Sequence, residues 1–261
     1  MSRILFWVAL IFSMYQKTAQ AEVWHSNQVW NSYWENEYKE WVRTSLKTNL
    51  FTSGDGLLGG LSADCADILY AIRIKFAYEH SLPFMINAPD VLRSKMKYFG
   101  SNTTMFDSIT NERARVRAFI KFIMEECGTS SLFIDTYPVQ IKKIDSGIVY
   151  VVEWSLFGKV QRHSYIIKGF NEDRELLYYA GDAPPKVRKL QIDTKYPRFS
   201  YSEAPFGFRK WKHPEHLSML EKNIPKEDEY GNDQYVLLSK VGKKRILKEI
   251  HQILKNQEGS I

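Results

Sequence analysis

The sequence has little cysteine and proline, and it lacks the repeated long apolar runs of a multi-span membrane protein. Its 261 residues include 2 Cys and 9 Pro, with 44% hydrophobic and 25% charged residues. This composition is typical of a globular protein and excludes collagen-like and intrinsically disordered chains. The length allows one large or two small domains with a sizeable core.

The first 21 residues have the pattern of a secretory signal peptide. Arg3 precedes an apolar run over residues 4–14, and Ala19-Gln20-Ala21 is a small-residue cleavage site. The apolar run is too short for a membrane span. Cleavage would remove Arg3 and Lys17 and lower the formal net charge from +6 to +4. The pattern predicts an exported protein, periplasmic or secreted, with no integral membrane span after signal removal. Its mild basicity does not indicate nucleic-acid binding.

The two cysteines, Cys65 and Cys127, allow two interpretations. In an oxidising compartment they could form a disulfide with each other. Alternatively, one thiol is structural and the other is chemically active. The local sequence around each cysteine bears on this choice.

Two strong helices are predicted in the first half of the chain. The first spans residues 65–81, with Asp64 as its N-cap and Asp67 at the capping-box spacing. The second spans residues 111–127 and ends at Gly128. Cys127 continues the apolar stripe of the second helix, which indicates a core residue.

The flanking segments are also predicted to contribute helices. Residues 26–46 carry an aromatic stripe at helical spacing, which we interpret as a face packed on the core. The glycine-rich loop at 52–60 lacks the spacing of a phosphate loop, so no nucleotide is expected there. Residues 241–256 form a basic amphipathic pattern, typical of a docked helix with a solvated face.

The pattern changes to short strands from residue 131 onward. The predicted strands span residues 132–134, 139–144, 147–154, 160–167 and 175–179. Helices followed by antiparallel strands predict an α+β fold. We expect a signal peptide at 1–21, an N-terminal aromatic helix and glycine-rich loop at 22–60, a catalytic domain at 61–215 and a basic helical extension at 216–261.

Three residues could form a catalytic constellation. Cys65 lies in the first turn of a helix, where the helix dipole and free amides favour the thiolate. His163 opens a strand and could act as the base, and Asp182 follows the next strand and could orient the imidazole. This order of Cys, His and Asp is the one that papain-like folds use.

The segments around these residues resemble a known family. Asp64-Cys65-Ala66-Asp67-Ile68-Leu69-Tyr70 resembles the nucleophile helix of NlpC-type papain-like cysteine endopeptidases. His163-Ser164-Tyr165-Ile166-Ile167-Lys168-Gly169 resembles their His strand, and Leu177-Tyr178-Tyr179-Ala180 resembles the strand that carries the third polar residue. The transglutaminase-like branch of the same superfamily is also similar, with Asp182-Ala183-Pro184-Pro185 in the place of its Asp-Pro element.

The resemblance implies a papain-like core, in which a helix-borne Cys packs on an antiparallel sheet. It implies a cysteine hydrolase that cleaves amide bonds in cell-wall peptides through a Cys65 acyl-enzyme. A transglutaminase-like acyl transferase is the alternative. The endopeptidases usually carry Ser-Gly where this chain has Ala66-Asp67, and Tyr179 occupies the aligned third position. Asp182 is therefore preferred as the orienting residue, and a catalytically inactive binding or structural module of the same fold remains a further alternative.

No cofactor or metal is predicted. His213 and His216 are separated by a Pro and a Glu, and no third ligand is evident nearby. The acidic run at 227–229 lacks the ordered spacing of a calcium loop. A peptide substrate is the expected partner.

Overall fold

The computed structural model describes residues 21–257, except residues 55, 196, 226 and 228. The predicted signal peptide at 1–21 lies outside the described residues apart from Ala21. Six α-helices are described: α1 Ser32–Glu40, α2 Cys65–Glu79, α3 Glu112–Glu126, α4 Thr129–Asp135, α5 Asp233–Val241 and α6 Ile246–Asn256. Eight strands are described: β1 Met85–Asn87, β2 Tyr98–Gly100, β3 Thr136–Pro138, β4 Val149–Leu156, β5 Lys159–Phe170, β6 Leu176–Ala180, β7 Gln191–Asp193 and β8 Gly207–Trp211.

Six of the strands form one antiparallel sheet. Its order is β3-β8-β4-β5-β6-β7, and β1 pairs with β2 in a separate two-stranded sheet. The longest pairing is the β4–β5 hairpin, which runs from Val149 opposite Ile166 to Leu156 opposite Lys159. This mixture of helices and antiparallel strands confirms the predicted α+β class.

Helix α2 is buried on nearly every side. Twelve of its 15 residues are buried, including Tyr70, Ile72 and Ile74. It packs between α3 and the sheet, where it contacts β5. A helix that is apolar all round is expected in this central position. The structure thus fixes the start of α2, and with it Cys65, inside the molecule.

The connection between α3 and the main sheet differs from the prediction. Residues 132–134 were expected to form a strand but belong to helix α4, and the expected strand at 139–144 is replaced by β3 and a 3₁₀ turn at Ile141–Lys143. Three consecutive apolar residues fit either a strand or one buried helical turn. The helix is favoured here because it buries Leu132 and directs the Asp135 carboxylate to the Asn87 amide and the Tyr70 hydroxyl.

The two ends of the chain also depart from the predicted bounds. Helix α1 begins at Ser32 because Asn31 caps it, and it continues into a π turn at Trp41–Ser45. The helix expected at 241–256 is present as α6 but begins five residues later, at Ile246. The helix before it, α5, was not predicted, and it ends at Gly242, which has a φ of 75°.

The terminal segments share one hydrophobic core with the rest of the described chain. Trp30 and Tyr38 are buried in it, and Trp34 and Trp41 pack against it, which agrees with the interpretation of the aromatic segment as a packed face. Ile246, Ile250 and Leu254 of α6 are buried in the same core. Within residues 21–257, no helix combines the length and apolarity needed to span a membrane.

Candidate active site

The start of helix α2 is held by reciprocal hydrogen bonds. The Asp64 carboxylate accepts from the amides of Ala66, at 2.9 Å, and Asp67, at 3.1 Å. The Asp67 carboxylate accepts in return from the Asp64 amide, at 2.8 Å. This capping box satisfies donors that a helix start otherwise leaves unpaired. It therefore fixes the backbone around Cys65, the first residue of the helix.

The Cys65 thiol lies where α2, α4 and β5 meet. Its Sγ is 3.7 Å from the Thr129 hydroxyl at the start of α4. The amide and hydroxyl of Ser164 on β5 are close enough to lower the thiol's pKa. Ser164 is fully buried, and among the described residues its hydroxyl has no hydrogen-bond partner at normal distance and angles. Sequence reasoning missed both Thr129 and Ser164 as neighbours of the thiol.

The expectation of a favoured thiolate at Cys65 is not met. Burial and the adjacent Asp64 carboxylate raise the pKa of the thiol, and these effects outweigh the hydroxyls of Thr129 and Ser164. Cys65 is only 5% exposed because α4 and β5 cover the helix start. At neutral pH the resting group is consequently a protonated thiol.

His163 lies on β5, opposite Val152 of β4. Its half-buried ring meets the edge of the Tyr165 ring at a centroid distance of 4.6 Å. Burial lowers the pKa of His163, and the charges of Asp182 and Asp64 partly oppose this. The imidazole is therefore neutral at pH 7 and can accept a proton.

Cys65 lies near Ser164, the neighbour of His163 on β5. Among the described residues, no hydrogen bond joins the side chains of Cys65 and His163. Successive side chains of a strand point to opposite faces, so Ser164 and His163 project in opposite directions. Strand β6 ends at Ala180, opposite Tyr165, which leaves this part of β5 as an open sheet edge. The thiol lies near the amide and hydroxyl of Ser164 in this part of β5.

The two candidates for the third residue have different environments. Asp182 is half exposed, lies 3.8 Å from Arg188, and acts electrostatically on His163. Tyr179 is buried, and its hydroxyl donates a 2.6 Å hydrogen bond to the Leu46 carbonyl. The hydroxyl of Tyr179 is thereby engaged away from His163, so the geometry favours Asp182.

The two cysteines are free and do not form a disulfide. Cys127 is buried in the hydrophobic core, as the sequence predicts. Burial raises the pKa of Cys127 strongly, and the charge of the nearby Asp135 carboxylate raises it further. Cys127 therefore has the properties of a structural thiol.

A cavity of about 730 Å³ lies beside the start of α2. Asp64 and Asp67 line it at the helix start, and Arg117, Lys121 and Glu125 add both signs of charge to its wall. The cysteine in its wall is Cys127 and not Cys65, so this cavity adjoins the capping box rather than the Cys65 thiol.

The histidines at 213 and 216 serve a structural purpose in the described part of the chain. His213 Nε2 lies 3.0 Å from the Glu35 carboxylate, and the two imidazole rings stack at 5.5 Å. Among the described residues, no group of three or more His, Cys, Asp or Glu side chains is arranged to hold a metal ion.

In comparisons with family models, curated proteins and solved structures, no match was found. The NlpC-like and transglutaminase-like resemblances therefore rest on the sequence segments described above.

Proposed function

We propose that this protein is a papain-like cysteine hydrolase of amide bonds, with Cys65 as the nucleophile, His163 as the base and Asp182 as the orienting residue. The observation that carries the proposal is the convergence of three elements. The start of α2 supplies the thiol, the open edge of β5 supplies Ser164 and His163, and the turn after β6 supplies a carboxylate whose charge acts on His163.

The resting pair is a protonated thiol and a neutral imidazole, so proton transfer must accompany attack. When His163 turns toward Sγ at the strand edge, it takes the thiol proton as sulfur attacks the substrate carbonyl carbon. The imidazolium then protonates the leaving amine, and a thioester with Cys65 remains. His163 next takes a proton from water, which cleaves the thioester and restores the thiol. Catalytic contacts of this kind are often looser before substrate binds.

Hydrogen-bond donors for the tetrahedral oxyanion lie close to the thiol. The Cys65 amide at the helix start and the hydroxyls of Thr129 and Ser164 are the nearest groups. Among the described residues, the Ser164 hydroxyl has no hydrogen-bond partner that would compete with an oxyanion.

Cell-wall peptides are the substrates that the NlpC-like resemblance implies, and export to the periplasm or cell surface would bring the enzyme to them. The cavity at the capping box offers a charged peptide a matching surface near the helix start, because its wall carries both lysine and carboxylate groups. An acyl transferase would use the same first half-reaction and differ only in having an amine as acceptor.

A second candidate is a catalytically inactive module of the same fold. One specific observation favours it: the strand residue against the thiol is Ser164, while His163 projects to the other face. In such a protein the cavity would bind peptide without cleaving it.

Trapping the acyl-enzyme distinguishes the two candidates. The purified protein is incubated with cell-wall peptides or activated peptide esters, and its intact mass is measured after acid quenching. We expect an acyl adduct in the wild type and in Cys127→Ser, the matched control, but not in Cys65→Ser. His163→Ala should lose turnover while it remains folded. Peptide binding without any adduct or cleavage in the wild type would support the inactive module and reject the hydrolase.

A further inference from the structure

A cavity of about 390 Å³ lies beside the C-terminal end of β5. Of the described residues that line it, four are cations, Lys39, Arg43, Lys168 and Arg174, and one is an acid, Asp145. Lys168 lies five residues beyond His163 on β5, so roughly 15 Å of strand separates this cavity from the Cys65 constellation. The excess of cations in a concave wall favours an anionic ligand.

A bulge in β5 places Lys168 in this cavity. Ile167 lies opposite Tyr178 of β6, and Gly169 lies opposite Leu177, so Lys168 is the extra residue of the bulge. Gly169 has a φ of 143°, a conformation that favours glycine. Bulges redirect a side chain and are frequent beside functional sites. The backbone therefore departs from regular pairing at the residue that carries the charge.

The Lys168 ammonium group retains donors for a ligand. Its half-buried side chain donates a 3.0 Å hydrogen bond from Nζ to the Arg43 carbonyl. That acceptor is neutral, so it does not offset the charge of Lys168. An ammonium group has three hydrogens, and two of them remain beyond this hydrogen bond.

Carboxylates hold two of the other cations in place. Asp145 lies 2.6 Å from Lys39 and 2.8 Å from Arg43, and Glu40 lies 2.7 Å from Arg43. Burial alone would raise the pKa of Asp145, but Lys39 and Arg43 hold it below its usual range. Asp145 is therefore ionised at neutral pH. These two carboxylates match Lys39 and Arg43 in number, so neither neutralises Lys168.

Arg174 occupies a turn position that favours glycine. It lies in the turn between β5 and β6 with a φ of 63°, a conformation that is unfavourable for a residue with a Cβ. Its guanidinium lies over the Phe170 ring, 4.7 Å from the ring centroid, in the cavity wall. The chain thus has a charged side chain where the backbone favours none, which indicates a use for the charge.

We propose that this cavity binds the phosphate group of a small phosphate monoester. A monoester carries up to two negative charges and three acceptor oxygens, and lysine binds phosphate as a point charge. Lys168 donates to the phosphate oxygens. Lys39, Arg43 and Arg174 add electrostatic attraction from the wall. The volume is within the range of small-molecule sites. This site does not depend on the function proposed above.

The test is isothermal titration calorimetry of the purified protein at neutral pH with glycerol phosphate, inorganic phosphate and dimethyl phosphate. The first two should bind, and dimethyl phosphate, which has a single charge, should bind at least ~10-fold more weakly. Lys168→Gln should weaken the binding of glycerol phosphate at least ~10-fold, since it removes a hydrogen bond between charged groups. The glutamine can still donate to the Arg43 carbonyl, so this variant should fold.

Arg174→Gly separates binding from stability. Glycine is the residue that the turn favours, so the Tm of this variant without ligand should be close to that of the wild type. The binding of glycerol phosphate should nevertheless weaken by ~3-fold or more, because a half-exposed charge is lost from the wall. Unchanged binding would exclude Arg174 from the site.

Lys95→Gln is the matched control. It removes the same charge from another basic cavity, lined in part by Arg93, Lys95 and Lys97, so its net charge equals that of Lys168→Gln. This variant should bind glycerol phosphate as the wild type does. A wild type that binds neither glycerol phosphate nor inorganic phosphate, or equal losses in the two lysine variants, would overturn the site. Dimethyl phosphate that binds as tightly as glycerol phosphate would overturn the assignment to a monoester.

Discussion

The Thr129 hydroxyl lies 3.7 Å from the Cys65 sulfur, although the two residues start different helices. The hydroxyl lowers the pKa of a thiol that burial and Asp64 raise. It is therefore one of the few groups that favour the thiolate in this structure.

Thr129→Val should make Cys65 less reactive. The valine keeps the shape of threonine but removes the hydrogen bond, so the pKa of the thiol rises further and less thiolate is present at pH 8. The measurement is the alkylation rate of Cys65 by iodoacetamide against pH, in a Cys127→Ser background. The rate should still be increasing above pH 9 in the parent, and the curve of Thr129→Val should be displaced to higher pH. Thr129→Ser, which keeps the hydroxyl, should restore the parent curve; a plateau near pH 7 in the parent would contradict the raised pKa.

Asp67 should make stability depend on pH. Burial, with the charge of Asp64, raises the pKa of Asp67 to about 7, whereas the unfolded chain releases this proton at about pH 4. The native state therefore binds more protons between these values, and this contribution to stability falls as the pH rises through the interval. Asp67→Asn should consequently be more stable relative to the wild type at pH 8 than at pH 4.

Urea midpoints at pH 4, 6 and 8 measure this difference. Asn can still accept the hydrogen bond from the Asp64 amide, so the capping geometry is kept. Asp173→Asn, which changes an exposed carboxylate, is the control and should show no such trend. An equal effect of Asp67→Asn at all three pH values would show that Asp67 ionises alike in the folded and unfolded states.

Arg209 is the main polar connection between β8 and its surroundings. It is fully buried and donates to the carbonyls of Phe133, Thr136 and Pro205 at 2.6–2.9 Å, and it pairs with Glu221. Arg209→Met would leave these acceptors unpaired. The free energy of unfolding should fall by about 3–5 kcal/mol, as for other broken buried networks.

Chemical denaturation with urea measures this loss. Arg245→Met removes an exposed arginine that pairs with Glu249 and should change the free energy of unfolding by less than about 1 kcal/mol. Similar losses for both variants would contradict the structural importance of Arg209.

Under the proposed hydrolase function, substitutions of Asp182 and Tyr179 should have different effects on catalysis and on stability. Asp182→Asn removes a charge that acts on His163 and should lower kcat at least ~10-fold with little change in Tm. Tyr179→Phe removes the hydrogen bond to the Leu46 carbonyl, and it should lower the free energy of unfolding by about 1–3 kcal/mol while it preserves kcat. The reverse pattern would assign the orienting role to Tyr179.

Local sequence signals predicted the elements that depend on local interactions. The Asp64 and Asp67 pattern located the start of α2 correctly, because a capping box involves only neighbouring residues. Asn111 and the apolar stripe after it likewise located α3 within one residue at each end. The same apolar stripe predicted that Cys127 is a core residue, and Cys127 is buried in the core.

The environment of the thiol depends on contacts between distant segments, and local sequence patterns do not reveal these contacts. Helix α4 covers Cys65, although the apolar residues of this segment suggested a strand. The register of β5 places Ser164, rather than His163, against the sulfur. A shift of one residue in register exchanges the two faces of a strand. The order of Cys, His and Asp along the chain could therefore indicate the region of the site but not the contacts within it.

The burial of α2 on nearly every side determines which part of the site can move. Amide hydrogens in the middle of this helix, such as those of Ile72 and Ile74, should exchange with deuterium only through global unfolding, because local opening would expose the core. The half-buried ring of His163, on a part of β5 that β6 does not pair with, is less enclosed than this helix. If a ligand binds at the candidate site, the His163 side chain should therefore move, while the Cys65 sulfur keeps its position.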